Sequence, residues 1–281
     1  MYLEHFGFTQ FPFHLTPDTS LFLGLAPHYE ALQTVNAALM MGEGVIKVIG
    51  EVGTGKTMVC RMLLSHLAEE FVCIYLPNPA LNGLELRQNI ARELQLGHPN
   101  ESVILGEIQA KLIELHQQGH KVVAIVDEAQ ALPDDALEML RLLGNLETDQ
   151  AKLLQLVLLG QPELDIRLTQ HHLRQFRQRI TFSADLRPLT MAETVAYIDN
   201  RLIKSGANAG LFPLSQKKAV WRAARGTPRL INQICHKTLL LCFYQGLKGV
   251  TNPPLFAAIQ DTFDTCKPRF KTPCFWGWSH S

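Results

Sequence analysis

The sequence predicts an α/β fold, a parallel sheet covered by helices on both faces, followed by a small all-helical domain. Three observations carry this. Short apolar, β-branched runs alternate with helical periodicities as far as residue 186; a glycine-rich turn joins one such run directly to a helix; and beyond Pro188 the strand-like runs stop while helical patterns continue.

The organising stretch is Gly44-Val45-Ile46-Lys47-Val48-Ile49-Gly50-Glu51-Val52-Gly53-Thr54-Gly55-Lys56-Thr57, with a helical pattern from Met58 onward. It matches G-x-x-x-x-G-K-[ST] at Gly50, Gly55, Lys56 and Thr57. Glycines let the backbone close around a phosphate with its N–H groups turned inward, and the free N–H groups of the helix start add positive potential at the same place. Lys56 is expected to bridge the β- and γ-phosphates and the Thr57 hydroxyl to ligate Mg²⁺. The candidate nucleotide-binding set is therefore Gly50, Glu51, Val52, Gly53, Thr54, Gly55, Lys56, Thr57 and Met58, with ATP and Mg²⁺ as ligands.

The chain has 281 residues, 47% of them hydrophobic, enough for one large domain or two moderate ones. A formal net charge of zero gives no global basic field to argue for nucleic acid, though a local patch is compatible with it. The start Met1-Tyr2-Leu3-Glu4-His5 lacks a basic segment and apolar core, and no apolar run approaches the ~18 residues of a membrane span, so the expectation is a soluble, cytoplasmic chain. Cys60, Cys73, Cys235, Cys242, Cys266 and Cys274 contain no C-x-x-C pair and read as reduced, mostly buried thiols.

Residues 1–26 carry Phe6, Phe8, Phe11 and Phe13 with Pro12 and Pro17, too irregular for a helix, and read as an aromatic arm packed on the domain; covering an adenine ring is the functional alternative. Pro27 suits a first helical turn, with Tyr29, Leu32, Val35, Leu39 and Met40 as its stripe, and Met58, Met62, Leu63 and Leu67 form the stripe of the phosphate-loop helix. Residues 71–76 are a strand, and helices follow over 84–96 and 103–115.

Lys121 to Val126 is a strand ending in Asp127 and Glu128, the arrangement in which an acid at the end of a neighbouring parallel strand faces the phosphates. Asp127 is expected to hold Mg²⁺ and Glu128 to polarise the attacking water. Pro133, Asp134 and Asp135 open a helix with a structural role, its apolar face being Leu137, Leu140, Leu143 and Leu146. The strand over 153–159 leaves through Gly160-Gln161-Pro162, placing Gln161 to sense the γ-phosphate or its water. Residues 171–180 put Arg174, Arg177 and Arg179 before a strand over 180–186, and one of them, Arg179 ahead of Arg177, is a candidate finger toward a neighbouring subunit's γ-phosphate. His171 and His172 point to different helix faces and read as solvated.

Helices are expected from Thr190, a capping box with Glu193, from Ser215, from Thr227-Pro228 and from Leu255. Arg229, at the third helix start, could reach back to the phosphates. The tail from Lys267 to Trp278 mixes cations with aromatics and reads as a loose terminus with a membrane surface or partner as alternatives. The domains are thus an arm over 1–26, an α/β nucleotide-binding domain over 27–188, a helical lid over 189–265 and a tail over 266–281.

The order of these features, from Gly50-Thr57 through Asp127-Glu128, Gln161 and the 174–179 arginines to Gly226-Arg229, resembles an AAA+ ATPase. More narrowly, Tyr2 to Phe8, Phe11-Pro12-Phe13, Asp127-Glu128-Ala129-Gln130, Leu159 to Leu164 and Gly226 to Asn232 look like the ExeA-type (general secretion pathway protein A) ATPases, including those serving mannose-sensitive haemagglutinin (MSHA) pili. The resemblance covers about residues 1–265. It implies Mg-dependent ATP hydrolysis by an ATP-dependent homo-oligomer assisting assembly of a type IV, MSHA-like pilus or a type II secretion machine, in the cytoplasm or peripherally at the inner membrane. ExeA-like proteins commonly continue into a transmembrane helix and a peptidoglycan-binding domain for which these residues leave no room, so a membrane link is expected to need a partner. The alternative is a DNA-associated regulator of the TniB/TnsC transposition type, which shares the motif set; neutral net charge makes nucleic acid the less favoured partner. A nucleotide-dependent scaffold without turnover fits poorly with retention of both Lys56 and Glu128.

Overall fold

The computed structural model describes residues 2–16, 18–77, 82–97, 100–149 and 151–268; Pro17, Cys274 and most of the tail lie outside them. The chain forms two compact units, one made of residues 28–52 and 56–186, the other of residues 1–27, 53–55 and 187 onward.

The elements run α1 (Tyr2–Phe6), α2 (Ala26–Met41), β1 (Val45–Gly50), α3 (Lys56–His66), β2 (Phe71–Leu76), α4 (Gly83–Glu93), α5 (Ile104–Gln117), β3 (Lys121–Val126), α6 (Asp134–Leu143), β4 (Gln155–Gly160), α7 (Pro162–Leu168), α8 (Arg174–Arg177), β5 (Ile180–Leu186), α9 (Met191–Lys204), α10 (Leu214–Ala224), α11 (Pro228–Tyr244) and α12 (Asn252–Asp261). In the α/β unit the sheet order is β2-β3-β4-β1-β5, all parallel. Successive residues of a strand face opposite sides, so β3 and β4 feed two cores at once. Val122, Ala124, Leu156 and Leu158 enter the core shared with α4, α5 and α6, while Val123, Ile125, Val157 and Leu159 enter the core beneath α2 and α3. This two-sided burial is why these strands read as unbroken apolar runs. Edge strand β5 has a solvated side, and Thr181, Ser183 and Asp185 are exposed along it.

Two helical stripes differ from expectation. In α2 the apolar positions buried in the sheet's core are Ala31, Val35, Ala38 and Leu39, with Leu32 packed beside them, so Val35 and Leu39 stand as expected, while Tyr29 and Met40 are 56% and 58% exposed. Alanines admit the helix close to the sheet, so the contact line is completed by Ala31 and Ala38 rather than by Tyr29 and Met40. In α3 the buried line is Val59, Cys60 and Leu63, with Met58 and Met62 only half-buried beside it. Nor is His172 merely solvated: its ring meets Asp134 at 2.8 Å, and Asp134 also receives Arg167.

The helical unit consists of the arm and α9–α12. The arm contains a short helix, α1, where irregular structure was expected, and its rings complete the core of α9–α12: Tyr2, Phe8 and Phe13 are buried, and Phe13 meets Phe212 edge-on at 6.1 Å. Its backbone is held too. Arg201 Nη1 donates to Pro12 O at 3.1 Å with its guanidinium over the Tyr197 ring, and Thr9 N–H donates to Ser205 O at 2.9 Å. Between α10 and α11, Gly226 takes φ +76° with Leu189 O only 2.1 Å from where a Cβ would stand, so this turn accepts glycine alone. The capping box opening α9 forms as expected, Thr190 N–H donating to Glu193 Oε2 at 2.7 Å, and Arg187 grips the same carboxylate through both terminal nitrogens.

Because Phe13 is fully enclosed, Phe13→Ala is expected to cost about 3–5 kcal/mol, measured by denaturant unfolding; an unchanged midpoint would show that the arm does not belong to this core. Arg187, ahead of the α9 backbone, holds the Glu193 carboxyl down at about 2 against the ordinary 4.5. A depressed carboxyl stabilises fully above its unfolded pKa, and the contribution is lost as pH falls toward the folded one. The stabilities of the wild-type protein and Glu193→Gln are therefore expected to differ near neutrality and converge as pH falls from about 4.5 to about 2.

Candidate functional site

Parallel pairing of β1 with β4 and of β4 with β3 brings three carboxyl ends to one edge of the sheet, with Ile49 opposite Gly160 and Val126 opposite Leu158. From these ends issue the glycine loop, Asp127-Glu128 and Gln161. The sheet thus gathers residues more than 100 positions apart in sequence.

Between Gly50 and Lys56 the backbone turns through Gly53 at φ +81° and Gly55 at φ +108°, conformations that side chains disfavour. A Cβ at Gly53 would stand 2.7 Å from Arg229 Cβ, and the Arg229 N–H donates to Gly53 O at 3.2 Å; residues 53–55 and Arg229 belong to the same unit. Thr54 is buried, Glu51 and Val52 are exposed, and Thr57 and Met58 are half-buried at the start of α3. Lys56 is 5% exposed and curls back on the loop, donating from Nζ to Gly50 O at 2.7 Å and Glu51 O at 3.2 Å.

Asp127 is buried at the end of β3, and its carboxylate receives the Glu128 N–H at 2.9 Å and the Thr57 hydroxyl. Glu128 then occupies the left-handed region, φ 53° and ψ 40°, a costly conformation for a side-chain-bearing residue. Its carboxylate oxygen Oε2 receives the side-chain amides of Gln161 at 2.9 Å and Gln130 at 2.5 Å. Gln130 in turn accepts the Gln161 N–H at 3.0 Å through Oε1, and its backbone carbonyl receives Arg167 at 2.7 Å.

The charges are poised against one another. Burial lowers the Lys56 ammonium, opposed by Glu128 and Asp127. Burial raises the Asp127 carboxyl, and the adjacent Glu128 charge adds to the rise against the hydrogen bonds it accepts. Burial also pushes Glu128 upward, but the amides of Gln130 and Gln161 with the Lys56 charge outweigh it and leave its carboxyl below the ordinary value. Glu128 is thereby held as an anion at neutral pH. Clustered hard oxygen donors, Thr57 Oγ1 and Asp127, suit a magnesium ion, and the positive-φ glycines with Lys56 form a cradle that side chains would fill.

Of the residues singled out in the sequence, Lys56, Thr57, Asp127, Glu128 and Gln161 come together. Arg229 meets the loop through its backbone. Arg174, Arg177 and Arg179 are exposed in the α/β unit and are not among the groups that shift Lys56, Asp127 or Glu128. Arg177 instead lines a cavity of about 360 Å³ with Lys47 and Asp165, and Arg179 acts on Lys152. Gln130 and Arg167 had no assigned role; the one signal for Gln130 was an amide two residues past the acid.

A family model described as AAA domain matches residues 39–168. Among curated proteins, general secretion pathway protein A of Aeromonas hydrophila is 40% identical over 249 residues, 88% of this chain. The chain spans 46% of the length of that relative. Among solved structures, Cdc6p of Pyrobaculum aerophilum aligns with TM-score 0.65 at 20% identity over 86% of this chain and 70% of its own. The Aeropyrum pernix ORC2 protein, in its ADPNP-ADP complexes, gives 0.64 at 15% over 89% and 72%. The RuvB Holliday junction branch migration motor of Thermotoga maritima gives 0.53 at 17% over 89% and 73%. Such identities speak to fold alone. With its five-stranded parallel sheet, glycine loop and extended identity to one curated relative, the chain belongs to the AAA+ P-loop proteins of the general secretion pathway protein A type.

Proposed function

We propose that this protein binds ATP with Mg²⁺ and hydrolyses it, as an ATP-dependent homo-oligomer that assists assembly of a type II secretion machine or a related MSHA-type pilus through a membrane-associated partner. The observation that carries the hydrolysis reading is Glu128, an ionised carboxylate oriented by two amides and set beside Lys56 and the Thr57–Asp127 pair. An acid fixed this way accepts a proton from an attacking water, and the Gln161 amide is placed to orient that water. The loop N–H groups and Lys56 would hold the phosphates, Arg229 would approach them from the start of α11, and Thr57 and Asp127 would hold the ion. Bound there, magnesium supplies neutralisation of the phosphate charge that develops during transfer.

The secretion reading rests on the relative's name, general secretion pathway protein A, and on the identity over most of this chain. No helix among the described residues is long and apolar enough to cross a membrane.

The exposure of Arg174, Arg177 and Arg179, together with their absence from the charge balance around Glu128, favours action on a neighbouring copy, with Arg179 first and Arg177 second. Arg179→Ala is then expected to bind ATP normally while turnover falls by about 10³-fold and no longer rises with protein concentration; an unaltered rate profile would move the role to Arg177 or Arg174.

Lys56→Ala is expected to lose binding of a fluorescent ATP analogue. Glu128→Gln should bind that analogue as the wild type does yet release phosphate at least about 10²-fold more slowly. Ordinary turnover by Glu128→Gln would remove Glu128 as the base, and ordinary binding by Lys56→Ala would remove the loop as the phosphate site.

A further inference from the structure

The neutral sum of charges conceals a strong division. Residues 28–186 contain thirteen lysines and arginines against twenty acids, a net charge of −7, whereas residues 187–268 contain eleven against four, a net of +7. Between Asp199 and Asp261 there are nine lysines and arginines and no acid at all. The arm, which belongs to the same unit, adds only Glu4 and Asp18, so the unit keeps a net positive charge concentrated in that acid-free stretch.

Helix α10 shows how this charge is displayed. At 100° per residue, Leu214, Lys218 and Arg222 fall on one stripe and are exposed, and Arg225, the left-handed cap that ends the helix, is exposed just beyond it; Trp221 lies within the same stripe, half-buried, its indole N–H donating to Leu189 O at 3.1 Å. The opposite face, with Ala219, Val220 and Ala223, enters the core. Lys217 is turned away from the stripe and committed to Asp199, whereas Lys218 and Arg222 make no ion pair among the described residues. At the carboxyl end of α10, Cys266 N–H donates to Ala223 O at 2.8 Å, bringing the segment with Phe263 and Lys267 alongside. Phe263 is 86% exposed, more than any other large apolar side chain described. The acids at that end are Asp261, held by Lys237 at 2.7 Å, and Asp264. The sequence beyond adds Arg269 and Lys271, four aromatic residues and no acid.

We propose that the exposed face of α10 and the adjoining Phe263 segment form a docking surface for an anionic lipid bilayer. Cations alone would suit any polyanion. The choice of a bilayer rests on what accompanies them: a leucine, a half-exposed tryptophan and a protruding phenylalanine interleaved with the positive charge. Such side chains enter the headgroup region while lysine and arginine meet lipid phosphates, and a phosphodiester backbone gives an exposed aliphatic chain nothing to enter. The proposal goes beyond the nucleotide reading and uses none of the residues assigned to it.

The test is sedimentation of the full chain with lipid vesicles, without nucleotide. One set is phosphatidylcholine alone and the other contains about one third phosphatidylglycerol. Selective binding to the anionic vesicles, weakened by added salt and by about tenfold or more in Lys218→Glu/Arg222→Glu, is the expected result, with Phe263→Ser weakening it as well. Should the charge reversal fail to fold, Lys218→Gln/Arg222→Gln serves in its place. Nucleotide binding and turnover in solution are expected to be unchanged in these variants, which separates this test from that of the phosphate site. Absence of binding, equal binding to both vesicle types, or retention of binding by the charge variants would overturn the proposal. Binding to a labelled DNA duplex without binding to vesicles would overturn it in favour of nucleic acid.

Discussion

The parallel pairing of β1 with β4 and β4 with β3 is the constraint on which the candidate site depends. Each strand is buried on both faces, so its side chains have no freedom to shift register without moving an entire apolar set to the wrong core. Fixed register fixes the strand ends, and the three ends carry the phosphate loop, the acid pair and Gln161. The hydrogen bonds among these residues orient their side chains, but the apolar strands behind them set where the three ends stand. Substitutions deep in β3 or β4 would therefore act on the site without touching it.

Placing Lys56, Asp127 and Glu128 together at such an edge has an electrostatic consequence. Burial works against the charged forms of both Lys56 and Asp127, so each is destabilising to the unliganded fold at neutral pH. Glu128 escapes the same penalty because two amides point at it. A polyphosphate with its cation would reverse the balance at Lys56 and Asp127 while leaving Glu128 as it stands. Binding energy would then be drawn from relief of those two groups, and the base would be set before the ligand arrived.

How much of this was legible in the sequence follows from the range over which each signal acts. Strand β3 lies where its apolar run begins and ends, because two-sided burial writes itself into every residue of that strand; the edge strands β2 and β5 were legible from β-rich runs bounded by the prolines after them. The α9 capping box was equally plain, since its chemistry is complete within four residues. The α2 stripe was right at Leu32, Val35 and Leu39 and missed at Tyr29 and Met40, because several overlapping sets of positions satisfy the 3.6 period and packing chose the one that completes the line with Ala31 and Ala38. Gln130 carries no pattern of its own. Its position beside Glu128 and Gln161 comes from the left-handed turn at Glu128 and from Arg167 gripping its carbonyl, both products of tertiary structure.

Charge was the quantity most misleading when summed. A neutral total argued against a polyanionic partner, yet the field a surface presents is set within about one Debye length, roughly 8 Å at physiological salt, and not by the chain as a whole. The exposed face of α10 carries Lys218 and Arg222 with no acid on the helix itself, while most of the acids that balance the sum belong to residues 28–186. The clustering also carries a cost, because like charges on neighbouring turns of a helix repel. The fold tolerates this along α10 although acids at the same exposed positions would have offered i, i+4 pairs with Lys218 or Arg222, and a surface whose only task was solubility would gain from such pairs. Arg222 gains from the carboxyl end of the helix, but Lys218 one turn earlier does not, and an exposed cation there with no acid on the helix is explained more simply by something outside it that the charge is arranged to meet.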